Sequence, residues 1–195
     1  MDYLKLVNAQ NKILQYERPK NLVLDVSSKI WLEEKTLEMF HQMNRAIQKE
    51  GLTALILVEG YRSFAHQKKL VQEAIKTYNT KKIIQAGQSE HQTGLAVDVT
   101  TVIMRDNIEN NMKFDFTFHK KWLDKNSANF GFILRYPKYK EDITGVEYKP
   151  YHYRYIGINH AKQITKLNLC FEEYLEYRKT RRFTNGGYNE ILWIK

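Results

Sequence analysis

Residues Ser89 to Thr100 read SEHQTGLAVDVT. His91 and Asp98 stand seven residues apart, with Gly94 between them. On a helix that spacing would place both side chains on one face. The glycine and the run Val97-Asp98-Val99-Thr100 argue instead for a polar loop that feeds a strand. In a strand Asp98 points away from Val97 and Val99. The two valines can then enter a core while Asp98 faces a cleft. Imidazole nitrogens and carboxylate oxygens are ordinary zinc ligands, and a catalytic zinc takes three protein ligands. From these two residues alone, a histidine in a satisfied loop and an aspartate bonded to a neighbouring turn explain the pattern more economically.

The surrounding chain supplies a scaffold for such a loop. Leu32, Leu37, Phe40, Met43 and Ile47 recur at helical spacing, which predicts an amphipathic helix from Leu32 to Ile47, stopped by Gly51. Leu52–Val58 is a short apolar run suited to a buried strand. A turn follows, and Ser63 is placed to cap a helix over Phe64–Tyr78. Further strands are expected at Leu95–Thr101, Gly131–Pro137 and Tyr151–Gly157, with helices over Phe116–Phe130 and over Asn159–Lys179, the latter broken near Asn168. The expected class is α+β: a small, mainly antiparallel sheet flanked by helices. The chain reads as one domain over 1–195, with an irregular segment at 1–30 and a C-terminal extension at 180–195.

With 195 residues, 43% hydrophobic, the chain is long enough to bury a sizeable core. Its 13 tyrosines suit half-buried surfaces and peptide or carbohydrate contacts, although core filling accounts for most of them. The net charge of +9 favours an anionic partner: nucleic acid, a lipid surface or an acidic polymer. No nucleic-acid motif accompanies it, and the dense basic run Arg178–Arg182 reads as a solvated helix end. A single cysteine, Cys170, excludes an intrachain disulfide. The first 21 residues do not read as a signal peptide, and no apolar stretch approaches the length of a bilayer span. As it stands the chain is expected in the cytoplasm; a trimmed leader, or release by lysis, would put it in the cell wall or outside the cell.

Three segments together resemble the zinc D,D- and L,D-carboxypeptidases of peptidoglycan metabolism, the VanY-type family. SEHQTGLAVD (Ser89–Asp98) is similar to the family's Ser-x-His-x-x-Gly-x-Ala-x-Asp signature. EGYRSFAHQ (Glu59–Gln67) resembles its upstream segment, and GFILRYPKYKEDITG with PYHYRYIG resembles its closing segment. Their order and approximate spacing fit, from about Leu52 to Tyr174. The resemblance implies a zinc cleft on the sheet, with His91, Asp98 and His152 as metal ligands and Zn²⁺ as cofactor. It implies that Arg62 stabilises the tetrahedral oxyanion, that Ser89 lies near the substrate carboxylate, and that Gln67 lines the cleft. The position of Arg62, in a turn just after a buried strand, suits a fixed cation facing developing negative charge.

One part of the pattern breaks. The family's last histidine follows Glu-Pro-Trp, whose glutamate serves as general base. Here the residues are Lys149-Pro150-Tyr151-His152. Lys149 holds the base position and Tyr151 the tryptophan position, on the substrate side. An unperturbed lysine is protonated at neutral pH and has nothing with which to accept a proton. Burial and a neighbouring metal ion would depress its pKa. Glu147 lies two residues away and shares a face with Lys149 in an extended segment, which makes it the alternative base.

The resemblance thus implies an enzyme that removes terminal D-alanine from peptidoglycan stem peptides, impaired in its base step. The alternatives are an inactive paralogue that binds wall peptide without cutting it, and a nucleic-acid binder suggested by charge alone. Affinity for anionic wall polymers explains that charge as well. The resemblance covers both D,D and L,D peptidases, and oligomeric state is not legible in the sequence.

Overall fold

The computed structural model describes residues 2–78, 83–105 and 108–184. The chain opens with turns and bends, pinned where Ile13 donates its backbone N–H to the Gly87 carbonyl. A hairpin follows, β1 (Leu22–Asp25) against β2 (Ile30–Glu33), and leads directly into α1 (Glu34–Lys49). Glu33 ends β2 and caps α1, its carboxylate accepting from the Thr36 N–H at 2.9 Å. The helix predicted from Leu32 therefore starts two residues later, and Leu32 itself belongs to the strand.

The main sheet has four strands in the order β3-β4-β6-β5, every pair antiparallel. They are β3 (Ile56–Glu59), β4 (Ala96–Thr100), β5 (Phe132–Leu134) and β6 (His152–Tyr155). Around them lie α2 (Phe64–Tyr78), α3 (Phe118–Asn126), the short α4 (Glu141–Thr144), α5 (Ile158–Leu167) and α6 (Phe171–Thr184). The expected α+β class with a small antiparallel sheet is what forms. The predicted break at Asn168 is real: that residue adopts a left-handed conformation, φ 52°, between α5 and α6. Residues 185–195, most of the expected C-terminal extension, lie outside the described residues.

Two apolar clusters hold the layers together. Val97 and Val99 of β4 pack with Leu37, Phe40, Met43 and Ile47 of α1 in the larger one. The smaller joins Ile133 of β5 to Ala161 and Ile164 of α5 and to Phe171 and Tyr174 of α6. Asp98, between two buried valines, is left on the opposite face of β4.

Candidate active site

Sheet register builds the centre. Asp98 on β4 has His152 on β6 as its cross-strand partner and Glu59 on β3 as its partner on the other side. His91 comes from a single 3₁₀ turn, Glu90–Thr93, that enters β4 through Gly94. Gly94 has φ +69°, a conformation that glycine adopts without penalty. Gly60, after β3, approaches β2 so closely that a Cβ would lie 2.6 Å from the Trp31 carbonyl oxygen. Its own carbonyl lies 2.7 Å from His91 Nδ1, so that nitrogen is the donor and Nε2 is left to face a metal. The Arg62 N–H in turn donates to the His91 carbonyl at 3.0 Å.

The three side chains meet as the resemblance implied. His91 Nε2 lies 3.4 Å from Asp98 Oδ2, and His152 Nδ1 lies 2.6 Å from Asp98 Oδ1. One nitrogen or oxygen from each of the three falls within 4.8 Å of the others. Both histidines are buried, while Asp98 keeps partial access to solvent. Burial would raise the Asp98 carboxyl, but His91 and His152 beside it outweigh that and hold it far below the usual carboxylate range. Burial pushes His91 down, which favours the neutral imidazole that ligates a metal. Two imidazole nitrogens and an ionised carboxylate, with His91 oriented by a backbone carbonyl, fit a zinc ion.

Arg62 is braced on three sides. Its Nη1 donates to Glu59 at 2.9 Å, its Nε to Gln67 Oε1 at 2.7 Å and its Nη2 to Ser89 Oγ at 3.3 Å. Ser89 and Gln67 are both buried, and Gln67 is itself fixed by donating to the Ile84 carbonyl at 2.7 Å. The structure thus gives these two polar residues a shared task, aiming the guanidinium. Arg62, Gln67, Tyr136, Glu147 and Lys149 line a cleft of about 1130 Å³, whose outer walls come from α2 and from the Asp142–Val146 segment.

Lys149 is half-buried, with its ammonium 5.6 Å from the centre of the Tyr136 ring, and Tyr136 packs on His152 with ring centroids 4.9 Å apart. Burial lowers the Lys149 pKa; Asp98 opposes that and Arg62 adds to it. Glu147 is exposed on the cleft wall. Tyr151 packs beside the main core, and burial, with Asp98 nearby, pushes its phenol up to about 12.

Several residues of the site escape sequence reasoning. Glu59, Gly60 and Tyr136 are recognisable only through their partners. Glu90 is completely buried and paired with Arg135, directly after β5, and with Arg154 of β6. The available signal was an arginine in each of two apolar strand segments, FILRY and YHYRYI, where a charge needs a buried partner.

The sequence profile of the VanY family, D-alanyl-D-alanine carboxypeptidase, matches residues 29–158. The chain is 34% identical over 184 residues to the bifunctional D-Ala-D-Ala dipeptidase and D-Ala-D-Ala carboxypeptidase VanXYC of Enterococcus gallinarum, covering 91% of this chain and 95% of that one. It is 33% identical to a D-alanyl-D-alanine carboxypeptidase of Enterococcus faecium over 86% of its own length, but spans only 53% of that relative. Among solved structures, the LdcB LD-carboxypeptidase superposes with a TM-score of 0.78 at 35% identity, covering 88% of this chain and 84% of that one. VanYB in complex with D-alanine-D-alanine gives 0.74 at 33% identity, covering 89% and 97%. A VanY mutant from the VanB-type resistance cassette, in complex with Zn(II), also gives 0.74 at 33%, covering 90% and 99%. By fold, by the profile that spans its site and by its agreement with these relatives, the chain belongs to the VanY family of D-alanyl-D-alanine carboxypeptidases.

Proposed function

We infer that this chain is a zinc carboxypeptidase that removes the terminal D-alanine of peptidoglycan stem peptides, with an impaired base step. The observation that carries this reading is the convergence of His91, Asp98 and His152 within 4.8 Å beside a cleft lined by a braced arginine. Zinc held by those three side chains would supply a Lewis acid that polarises the scissile carbonyl and acidifies a water. The remaining work falls to residues of the chain. Arg62, locked by Glu59, Gln67 and Ser89, offers a preorganised cation to the oxygen on which charge develops. The cleft holds the peptide so that its last carbonyl meets that cation.

A proton acceptor is the weak point. Lys149 occupies the position, and although burial lowers its pKa, the nearby Asp98 carboxylate favours the charged form. Glu147, exposed on the cleft wall two residues from Lys149, is the alternative carboxylate. The test is release of D-alanine from a synthetic pentapeptide, with and without chelator, for the native chain and for Lys149→Glu. One observation favours a second reading, in which the protein holds the peptide without cutting it: Lys149 and Arg62 put two cations on one cleft that receives a carboxylate-ended ligand. Tight peptide binding with no release by either form would select it. The net charge of +9 supports additional affinity for anionic wall polymers, which rising salt should weaken.

A further inference from the structure

Glu90 shares its 3₁₀ turn with His91, and both side chains are buried. The Glu90 side chain has no solvent access. Oε1 accepts from Arg135 Nε at 2.7 Å and lies 3.1 Å from Arg154 Nη1. Oε2 has no hydrogen-bond partner, and neither has His152 Nε2. These two buried atoms face each other across 3.8 Å. A buried carboxylate oxygen and a buried imidazole nitrogen each lose free energy by going unpaired. A shift of under an ångström would give both a hydrogen bond of normal length.

We propose that Glu90 is a positioning residue for the metal ligand His152: its Oε2 accepts the Nε2–H, fixing the tautomer that leaves Nδ1 to the metal. The proposal rests on the metal reading above. Its logic follows from which nitrogen is engaged. His152 Nδ1 already faces Asp98 at 2.6 Å, so in a neutral ligating imidazole the proton must sit on Nε2, the side of Glu90. The carboxylate is itself fixed. Arg135 is clamped from behind by Glu172, with Nη1 to Oε2 at 2.8 Å and Nη2 to Oε1 at 2.5 Å. Arg154 Nη2 donates to the carbonyls of Tyr3 at 3.3 Å and Lys5 at 3.0 Å. Two arginines and two glutamates balance in charge, and the ion pairs of Glu90 with Arg135 at 2.7 Å and Arg154 at 3.1 Å suit a carboxylate there. One short turn therefore supplies a metal ligand, His91, and the partner of a second ligand, His152, which arrives 54 residues after Asp98.

The experiment is zinc affinity by competition with a chromophoric chelator, for native protein, Glu90→Gln and Glu172→Gln. Glutamine supplies one acceptor oxygen where Glu90 needs two, so Glu90→Gln should weaken zinc by about 10- to 100-fold, the usual range for such outer partners. Glu172→Gln cuts the same ion network on its far side and should lower the Tm while leaving zinc affinity within about twofold. Equal zinc affinity in Glu90→Gln and native protein would overturn the proposal. Should Glu90→Gln fail to fold, ¹⁵N shifts of the zinc-loaded native protein decide: a proton on His152 Nε2 supports it, and a proton on Nδ1 overturns it. A native chain that takes up no zinc would instead sink the metal reading itself, and this proposal with it.

Discussion

Asp98 and His152 are cross-strand partners on the antiparallel strands β4 and β6, with Oδ1 and Nδ1 2.6 Å apart. Two of the three proposed metal ligands are thus set by sheet register rather than by a loop. A one-residue slip of either strand would send its ligand to the opposite face.

That placement predicts the effect of removing a ligand. His152→Ala should abolish stoichiometric zinc, read by elemental analysis, and should lose the rise in Tm that zinc gives the native chain. A variant that still holds one zinc per chain would show that His152 is not a ligand.

Arg62→Ala should lower kcat by about 10²–10³-fold in a chain made competent by Lys149→Glu, with a small change in KM. Gln67→Ala removes only the 2.7 Å bond that aims Nε and should cost less, in the same parameter. An effect confined to KM would make Arg62 a binder of the substrate carboxylate instead.

Metal-free protein should lose stability in acid. In the folded chain Asp98 and Glu90 are both held below their ordinary range, by His91 and His152 in one case and by Arg135 and Arg154 in the other, despite burial. The unfolded chain therefore binds more protons than the folded one below about pH 5, and stability falls as pH drops through about 4. Denaturant midpoints at pH 7 and pH 3.5 measure this. Asp98→Asn should flatten part of that slope; an unchanged slope would mean that Asp98 is not held ionised by the fold.

Much of this was legible because the chemistry is local. The loop and strand around His91 and Asp98 follow from Gly94 and the flanking valines, and Ser63 caps α2 by accepting the His66 N–H at 3.2 Å. The β1–β2 hairpin was not legible, since Leu32 continues the helical spacing of Leu37 and Phe40 and so hides a strand end. Lys29, with φ 64°, makes the turn without the glycine that usually announces one. The Leu52–Val58 run is only partly strand because Asn44 of α1 bonds both the N–H and the carbonyl of Leu55, a contact across 11 residues. Glu90 was hidden for a similar reason: Arg135, 45 residues on, reaches it only through the finished sheet.

The most direct measurement is chelator-sensitive release of D-alanine from a pentapeptide ending in D-alanine, by the native chain and by Lys149→Glu. A misplaced cation at the base position should cost about 10²–10⁴-fold, so the native chain should be slow and Lys149→Glu faster by a factor in that range, with both silenced by chelator and restored by zinc. No zinc-dependent release from either protein, with both correctly folded and zinc-loaded, would contradict the account.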